Sequence, residues 1–186
     1  LIKIVLIMTL GVWLWISKDM QVESSQIYHL QKGATIDALA LDLHNKNLIN
    51  SEVYFKLSGL LVGASNKLKT GYYQLDSEMS VLSFLDRVTN GDVVRKNITL
   101  IEGVTIRDYY LQLSQNPGVV SATSLDNIMK SLNIEAPFEG WIYPETYQIT
   151  YGDSVQSIFS RAHNAMKKQL DDLWQAKSDV LPFNTP

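Results

Sequence analysis

The chain has 186 residues, 46% of which are hydrophobic, and a formal net charge of -3. This composition is typical of a folded protein and argues against intrinsic disorder. Its 16 Lys and Arg residues are spread along the chain, so no dense basic block indicates nucleic-acid binding. The absence of cysteine excludes disulfides, thiolate metal ligands and a cysteine nucleophile. The three histidines stand far apart, and we expect neither a metal site nor another cofactor.

The N-terminal segment is strongly apolar, with no charge from residue 4 to residue 16. Such a run spans only about 20 Å as a helix, whereas crossing a bilayer usually takes about 20 residues. Because the chain begins with Leu, we expect further apolar residues before it and interpret residues 1–17 as a transmembrane anchor, with Trp13 and Trp15 at the interface. The alternatives are a cleaved signal peptide, which needs a small-residue cleavage site, and a buried core helix. An anchor would place everything downstream outside the cytoplasm.

A polar tether, residues 18–25, and a small α+β module, residues 26–96, follow the apolar run. Period-2 and helical patterns predict the order β-α-α-β-α-β. Thr35 and Ser51 are the expected N-caps of the first two helices. The predicted elements are strands at QIYHL, LKTGYYQL and RKNITL and helices at TIDALALDLHNKNL, SEVYFKLSGLLVG and SVLSFLDRVTNG. About seventy residues can hold a small core of this kind.

Residues 97–186 form a second region, which we interpret as the first part of a mixed α/β domain. Its first helix begins at Thr105, with Asp108 in capping-box spacing. A short helix near SLDNIMKSLNI, the aromatic segment FEGWIYPETYQIT and a long amphipathic helix follow. The apolar face of the long helix comprises Val155, Ile158, Phe159, Ala162, Met166, Leu170 and Leu173. Because no closing element follows, we expect this domain to continue in a longer protein.

Glu139 stands between Phe138 and a Gly-Trp-Ile-Tyr-Pro run. A carboxyl group among aromatic rings is poorly solvated when charged, which favours its protonated form. Cleavage of a glycosidic bond needs such an acid to protonate the leaving oxygen. Trp141, Tyr143 and Tyr147 could pack on the apolar faces of sugar rings. The alternative is a solvated loop acid beside core aromatics, which composition alone favours.

Two further acids are candidates for the same site. Hydrolysing glycosidases place two carboxyl groups a defined distance apart, so Glu145 is a possible second carboxylate; otherwise it is a capping or salt-bridging acid. Glu102 has a similar setting to Glu139, with a strand end before it and a glycine and helix cap after it. It either lines the same groove as Glu139 or accepts hydrogen bonds from amides of its own turn.

Several of these segments resemble one protein family. The segment EGWIYPETY is similar to the signature of the MltG/YceG-like endolytic murein transglycosylases, although Glu145 stands where Asp is common. The segment ITLIEGVTIRDY is similar to that family's Pro-Glu-Gly-x-Thr motif, with Ile101 in place of the usual Pro. The elements upstream resemble the family's LysM-like module, so the resemblance covers nearly the whole chain.

The resemblance implies a single-pass protein of the bacterial inner membrane whose enzymatic part lies outside the cytoplasm. Such an enzyme cleaves the β-1,4 bond between N-acetylmuramic acid and N-acetylglucosamine in nascent glycan strands and forms a 1,6-anhydro sugar, which terminates polymerisation. Glu139 would then be both acid and base. The implied groove residues are Glu102, Trp141, Tyr143, Glu145 and Tyr147. The implied partners are peptidoglycan strands, glycan-polymerising synthases and the lipid bilayer.

The resemblance also limits what this chain is expected to do alone. The family's catalytic domain continues past LPFNTP, so we expect the gene product to be active and residues 18–186 alone to be inactive. One alternative is a non-enzymatic cell-wall binder in which residues 24–96 hold peptidoglycan, because fold does not dictate function. Another is a membrane-tethered protein that recruits glycan synthases.

Overall fold

The computed structural model describes residues 20–64 and 67–177. The predicted anchor, residues 1–17, lies outside the described residues. The chain divides into two compact units, Leu1–Val94 and Arg95–Pro186. Each unit combines helices with a small sheet, so the α+β class is confirmed. Within the described ranges, no helix is both long enough and apolar enough to cross a membrane.

Five elements lie in the described part of the first unit. They are β1 (Gln26–Leu30), α1 (Ile36–Asn45), α2 (Glu52–Leu61), β2 (Gly71–Leu75) and α3 (Val81–Asn90). Thr35 and Ser51 cap α1 and α2 as predicted, because each hydroxyl accepts a hydrogen bond from the N–H three residues on. Helix α3 ends at Gly91, whose φ of 76° is the left-handed conformation that glycine adopts without strain.

The core of the first unit lies between its sheet and its helices. Strands β1 and β2 pair antiparallel with Tyr28 opposite Tyr73, and alternate residues point into the core. The Tyr28 and Phe84 rings meet edge to face at 5.9 Å. The largest fully buried side chains of the unit are Tyr73, Phe55, Phe84, Leu39, Leu43, Leu75 and Leu85.

The predicted last strand of the first module belongs to the second unit instead. This strand, β3 (Arg95–Thr99), pairs antiparallel with β5 (Thr146–Thr150). Among the described residues, the sheet of the first unit consists of β1 and β2. The module is therefore β-α-α-β-α, and the division falls after Val94 rather than after residue 96. A period-2 pattern predicts a strand but not its partner, because pairing depends on contacts distant in sequence.

Up to residue 177, where the described part of the chain ends, the second unit contains β3, β5 and five further elements. These are α4 (Ile106–Ser114), β4 (Val119–Val120), α5 (Leu125–Ser131), β6 (Asp153–Ser154) and α6 (Val155–Gln175). Its buried core comprises Ile98, Leu100, Ile106, Tyr109, Leu113, Val119, Ile128, Met129, Ile134, Ile142, Ile149, Val155, Ile158, Phe159 and Ala162. Only the N-terminal half of the apolar face predicted for α6 is buried, since Leu170 and Leu173 are 38% and 60% exposed.

Candidate active site

The site is built around the N-terminus of α4. The predicted capping box is confirmed: the Thr105 hydroxyl accepts from the Asp108 N–H, and the Asp108 carboxylate accepts from the Thr105 N–H. The hydrogen bond from the Thr105 hydroxyl is the main reason that the pKa of Asp108 is lowered. The box fixes the first turn of α4, and the unpaired N–H groups of that turn carry the positive end of the helix dipole.

Glu139 lies against this helix end. Its two carboxylate oxygens are 3.3 and 3.1 Å from the backbone nitrogen of Ile106, the first residue of α4. The next residue, Gly140, has a φ of +86°, and a Cβ there would meet no atom within 4 Å. Glycine is therefore required for the backbone conformation that turns Glu139 toward α4, and not for close packing.

Glu102 and Glu139 line one cavity of about 220 Å³. Glu102 precedes Gly103, whose φ is +82°, so both acids stand beside a glycine in the left-handed region. The other lining residues are Val104, Ile106, Tyr109, Ile142, Pro144 and Met166. The cavity therefore has apolar walls and two carboxyl groups, in keeping with the first of the two interpretations of Glu102.

Tyr109 connects the floor of this cavity to the turn that carries Glu102. Its ring is 5% exposed, and its hydroxyl donates to the carbonyl of Ile101 at 2.6 Å. Burial, followed by the charges of Glu102 and Glu139, raises the pKa of Tyr109. The phenol therefore remains a hydrogen-bond donor at neutral pH. Sequence reasoning missed this residue, because nothing in IRDYY distinguishes a cavity tyrosine from a packing one.

The aromatic residues after Glu139 do not enclose its carboxyl group, which differs from the expectation. Glu139 is exposed, whereas Tyr143 and Tyr147 are partly buried and joined by a 2.7 Å hydrogen bond from the Tyr147 hydroxyl to the Tyr143 carbonyl. The reason is that the segment is not one loop: β5 begins at Thr146, and its backbone pairing sets the directions of the side chains.

Trp141 and Glu145 are exposed, and neither lines the cavity. The Trp141 ring lies 5.8 Å from the His163 ring, and its carbonyl is 3.1 Å from His163 Nδ1. The carbonyl of Glu145 accepts from the Leu100 N–H and extends the pairing of β3 with β5. Burial first, and the charge of Glu145 second, raise the pKa of Tyr147 to about 12.

The fold and these two acids define an α+β protein with a carboxylate-lined cleft in its second unit. The chain matches the model of the YceG-like family over residues 28–185. It therefore belongs to the YceG-like family, and the family assignment made from the sequence is confirmed.

The solved structures that are similar to this chain include a crystal structure of a yceG-like protein from Listeria monocytogenes, with a TM-score of 0.41 and 19% sequence identity. The match covers 86% of this chain and 60% of that one, so the chain spans about three fifths of this relative's length. No curated protein matches the chain significantly.

Proposed function

We propose that this chain carries the catalytic acid of a membrane-anchored endolytic peptidoglycan transglycosylase. Murein transglycosylase activity is generally associated with the YceG-like family, to which the chain belongs. The observation that supports the proposal most directly is the position of Glu139, whose carboxyl group is exposed at the wall of a cavity and oriented by the N-terminus of α4.

The first proposed step is protonation of the leaving oxygen. Glu139 donates its proton to the oxygen of the β-1,4 bond between N-acetylmuramic acid and N-acetylglucosamine, and the bond from C1 to this oxygen breaks. The N-acetylglucosamine leaves with a free hydroxyl. Positive charge develops at C1. Glu102, which lines the same cavity, would stabilise this charge electrostatically.

The second step closes the anhydro ring. Glu139, now a carboxylate, accepts the proton of the C6 hydroxyl while that oxygen bonds to C1. The product is a 1,6-anhydro end, no water is consumed, and the acid regains its proton. One carboxyl group therefore serves as both acid and base, and a carboxylate nucleophile is not required. In the free protein, the carboxylate oxygens of Glu139 accept a hydrogen bond from the Ile106 N–H. This bond would hold the Glu139 side chain in place between the two steps.

The remaining residues have positioning or binding roles in this proposal. The exposed Trp141 ring offers a flat apolar surface of the kind that packs on sugar rings. Tyr147 lies on β5, and Tyr143 and Glu145 lie in the segment just before it. There they would contact sugars of the glycan strand that are further from the cleaved bond. The protein would be held at the bacterial inner membrane by residues 1–17, next to the synthases that supply nascent glycan.

The test is cleavage of purified glycan strands by the full-length gene product and two variants. Glu139→Gln keeps the size of the side chain and removes the acid, so we expect cleavage to be abolished. The matched control is Glu135→Gln, the same change at an exposed acid four residues earlier that does not line the cavity. Cleavage by Glu139→Gln at the rate of the control would overturn the proposal. Glycan binding without cleavage by any of the three proteins would favour the cell-wall binder.

A further inference from the structure

Helix α2 of the first unit is apolar on two opposite faces. Its inner face packs into the core and consists of Tyr54, Phe55, Ser58 and Gly59. The outer face of α2 consists of Val53, Leu57, Leu60 and Leu61, which are 74%, 39%, 67% and 58% exposed. A helix that is apolar all round is normally covered on every side. The described chain covers only one side of this helix.

The exposed residues form a continuous stripe. Counted from Val53, they stand at positions i, i+4, i+7 and i+8, which lie on one side of a helix. Single exposed apolar residues are common on protein surfaces, but a continuous patch marks a surface that contacts a protein, a ligand or a membrane.

The charges next to the outer face are already paired within the unit. Lys56 contacts Asp37 at 3.2 Å and Glu52 at 3.5 Å. No charged residue interrupts the stripe itself. The stripe can therefore enter an apolar environment without taking an unpaired charge with it.

The apolar run at the start of the chain indicates which apolar environment lies near the first unit. The uncharged run ends at residue 16, and the Met20 N–H is already bonded to the Met79 carbonyl inside the first unit. The four residue steps between them reach at most about 14 Å. If the run lies in a bilayer, the first unit is therefore held against the membrane surface.

The start of α2 follows shortly after the point at which the tether enters the first unit. The Gln21 N–H bonds the carbonyl of Leu48 at 2.8 Å, and five residue steps, or at most about 18 Å, separate Leu48 from Val53. The first residue of the outer face is therefore no more than about 18 Å from a residue that the tether contacts.

We propose that the outer face of α2 docks on the lipid bilayer, with its four apolar side chains at the boundary between headgroups and acyl chains. This inference rests on the proposed membrane anchor and adds a second, peripheral contact that fixes the orientation of the first unit. A single span leaves the unit free to rotate about its tether. Contact through α2 defines which sides of the unit face lipid and which face the cell wall.

The chain has no cysteine, so the contact can be tested with single spin labels. Leu60→Cys places a label on the outer face. Asp92→Cys places one at an exposed position of the same unit, outside α2 and past the end of α3 that is remote from Met79. Each full chain is reconstituted into phosphatidylcholine vesicles, and collisions with oxygen and with a water-soluble nickel chelate are measured. We expect a several-fold higher ratio of oxygen to nickel collisions at position 60 than at position 92.

The other outcomes separate this inference from the anchor on which it rests. A chain that does not float with vesicles would overturn both. A chain that floats while the label at position 60 is as accessible to nickel as the control would overturn only the docking of α2. Dipolar broadening between labels at position 60 on two copies would show instead that the face pairs with itself. Circular dichroism of both variants establishes that the unit remains folded.

Discussion

The hydroxyl of Tyr109 offers a sharp test of how the cleft is held together. It donates to the Ile101 carbonyl at 2.6 Å, and Tyr109→Phe removes this bond while keeping the buried ring. A typical hydrogen bond contributes about 0.5–1.5 kcal/mol to stability. Because Ile101 is 57% exposed, water can replace the lost donor, and we expect the free energy of unfolding to fall by about 1 kcal/mol or less.

The neighbouring residue provides a matched control. Tyr110 also donates to a backbone carbonyl, that of Thr123 at 3.1 Å, so Tyr110→Phe makes the same chemical change one residue away. Urea unfolding followed by circular dichroism should show similar, small losses of stability for both variants. Only Tyr109 lines the cavity with Glu102 and Glu139.

The two variants should therefore differ in glycan cleavage by the full-length protein. If the bond to Ile101 holds the turn that presents Glu102, its loss lowers kcat by up to about fivefold, which corresponds to 1 kcal/mol of transition-state stabilisation. The control should keep its kcat. Equal kcat values for Tyr109→Phe and Tyr110→Phe would refute the idea that this hydroxyl positions the Glu102 turn.

Three further predictions concern the second unit, each measured by unfolding. Gly140→Ala should lower stability by about 1–2 kcal/mol, because its φ of +86° is unfavourable for a residue with a Cβ and no clash contributes; no change would mean that this turn is not in the left-handed region. Burial, followed by the charge of Glu145, raises the pKa of Tyr147 from 10.0 to about 12 in the folded protein. The stability that the neutral Tyr147 phenol contributes to the folded state is therefore complete below pH 10 and is lost as pH rises toward 12. Tyr147→Phe should flatten this alkaline decline, and an unchanged pH profile would contradict the assigned burial. Phe159→Ala, at a fully buried position, should cost about 3–5 kcal/mol, whereas Leu173→Ala, at a 60% exposed one, should change stability by less than about 0.5 kcal/mol. Similar losses would show that the end of α6 is covered.

Local signals in the sequence predicted the helices and their ends well. Thr35, Ser51 and Thr105 cap their helices as expected, because a cap depends on residues three positions apart. Gly91 ends α3 for a different but equally local reason, because glycine adopts the left-handed conformation there without strain. The short motifs around Glu102 and Glu139 were also enough to identify the family.

Contacts distant in sequence were not predictable in the same way. The pattern of β3 is that of a strand, yet nothing within Arg95–Thr99 indicates that its partner lies in Thr146–Thr150. The position of Glu139 at the end of α4 depends on folding across 33 residues of chain. Because aromatic residues are its neighbours in sequence, we expected the Glu139 carboxyl group to lie among their rings. It is instead exposed and contacts the N-terminus of α4.

The most direct test of the central claim is the mass of the ends released from glycan strands by the full-length protein. Cleavage by Glu139 acting as both acid and base consumes no water, so we predict that each new N-acetylmuramic acid end is lighter by one water than a reducing end. These ends should be absent from the Glu139→Gln reaction. Ordinary reducing ends would contradict the account, because they require hydrolysis and a second carboxylate, for which Glu102 in the same cavity is the first candidate.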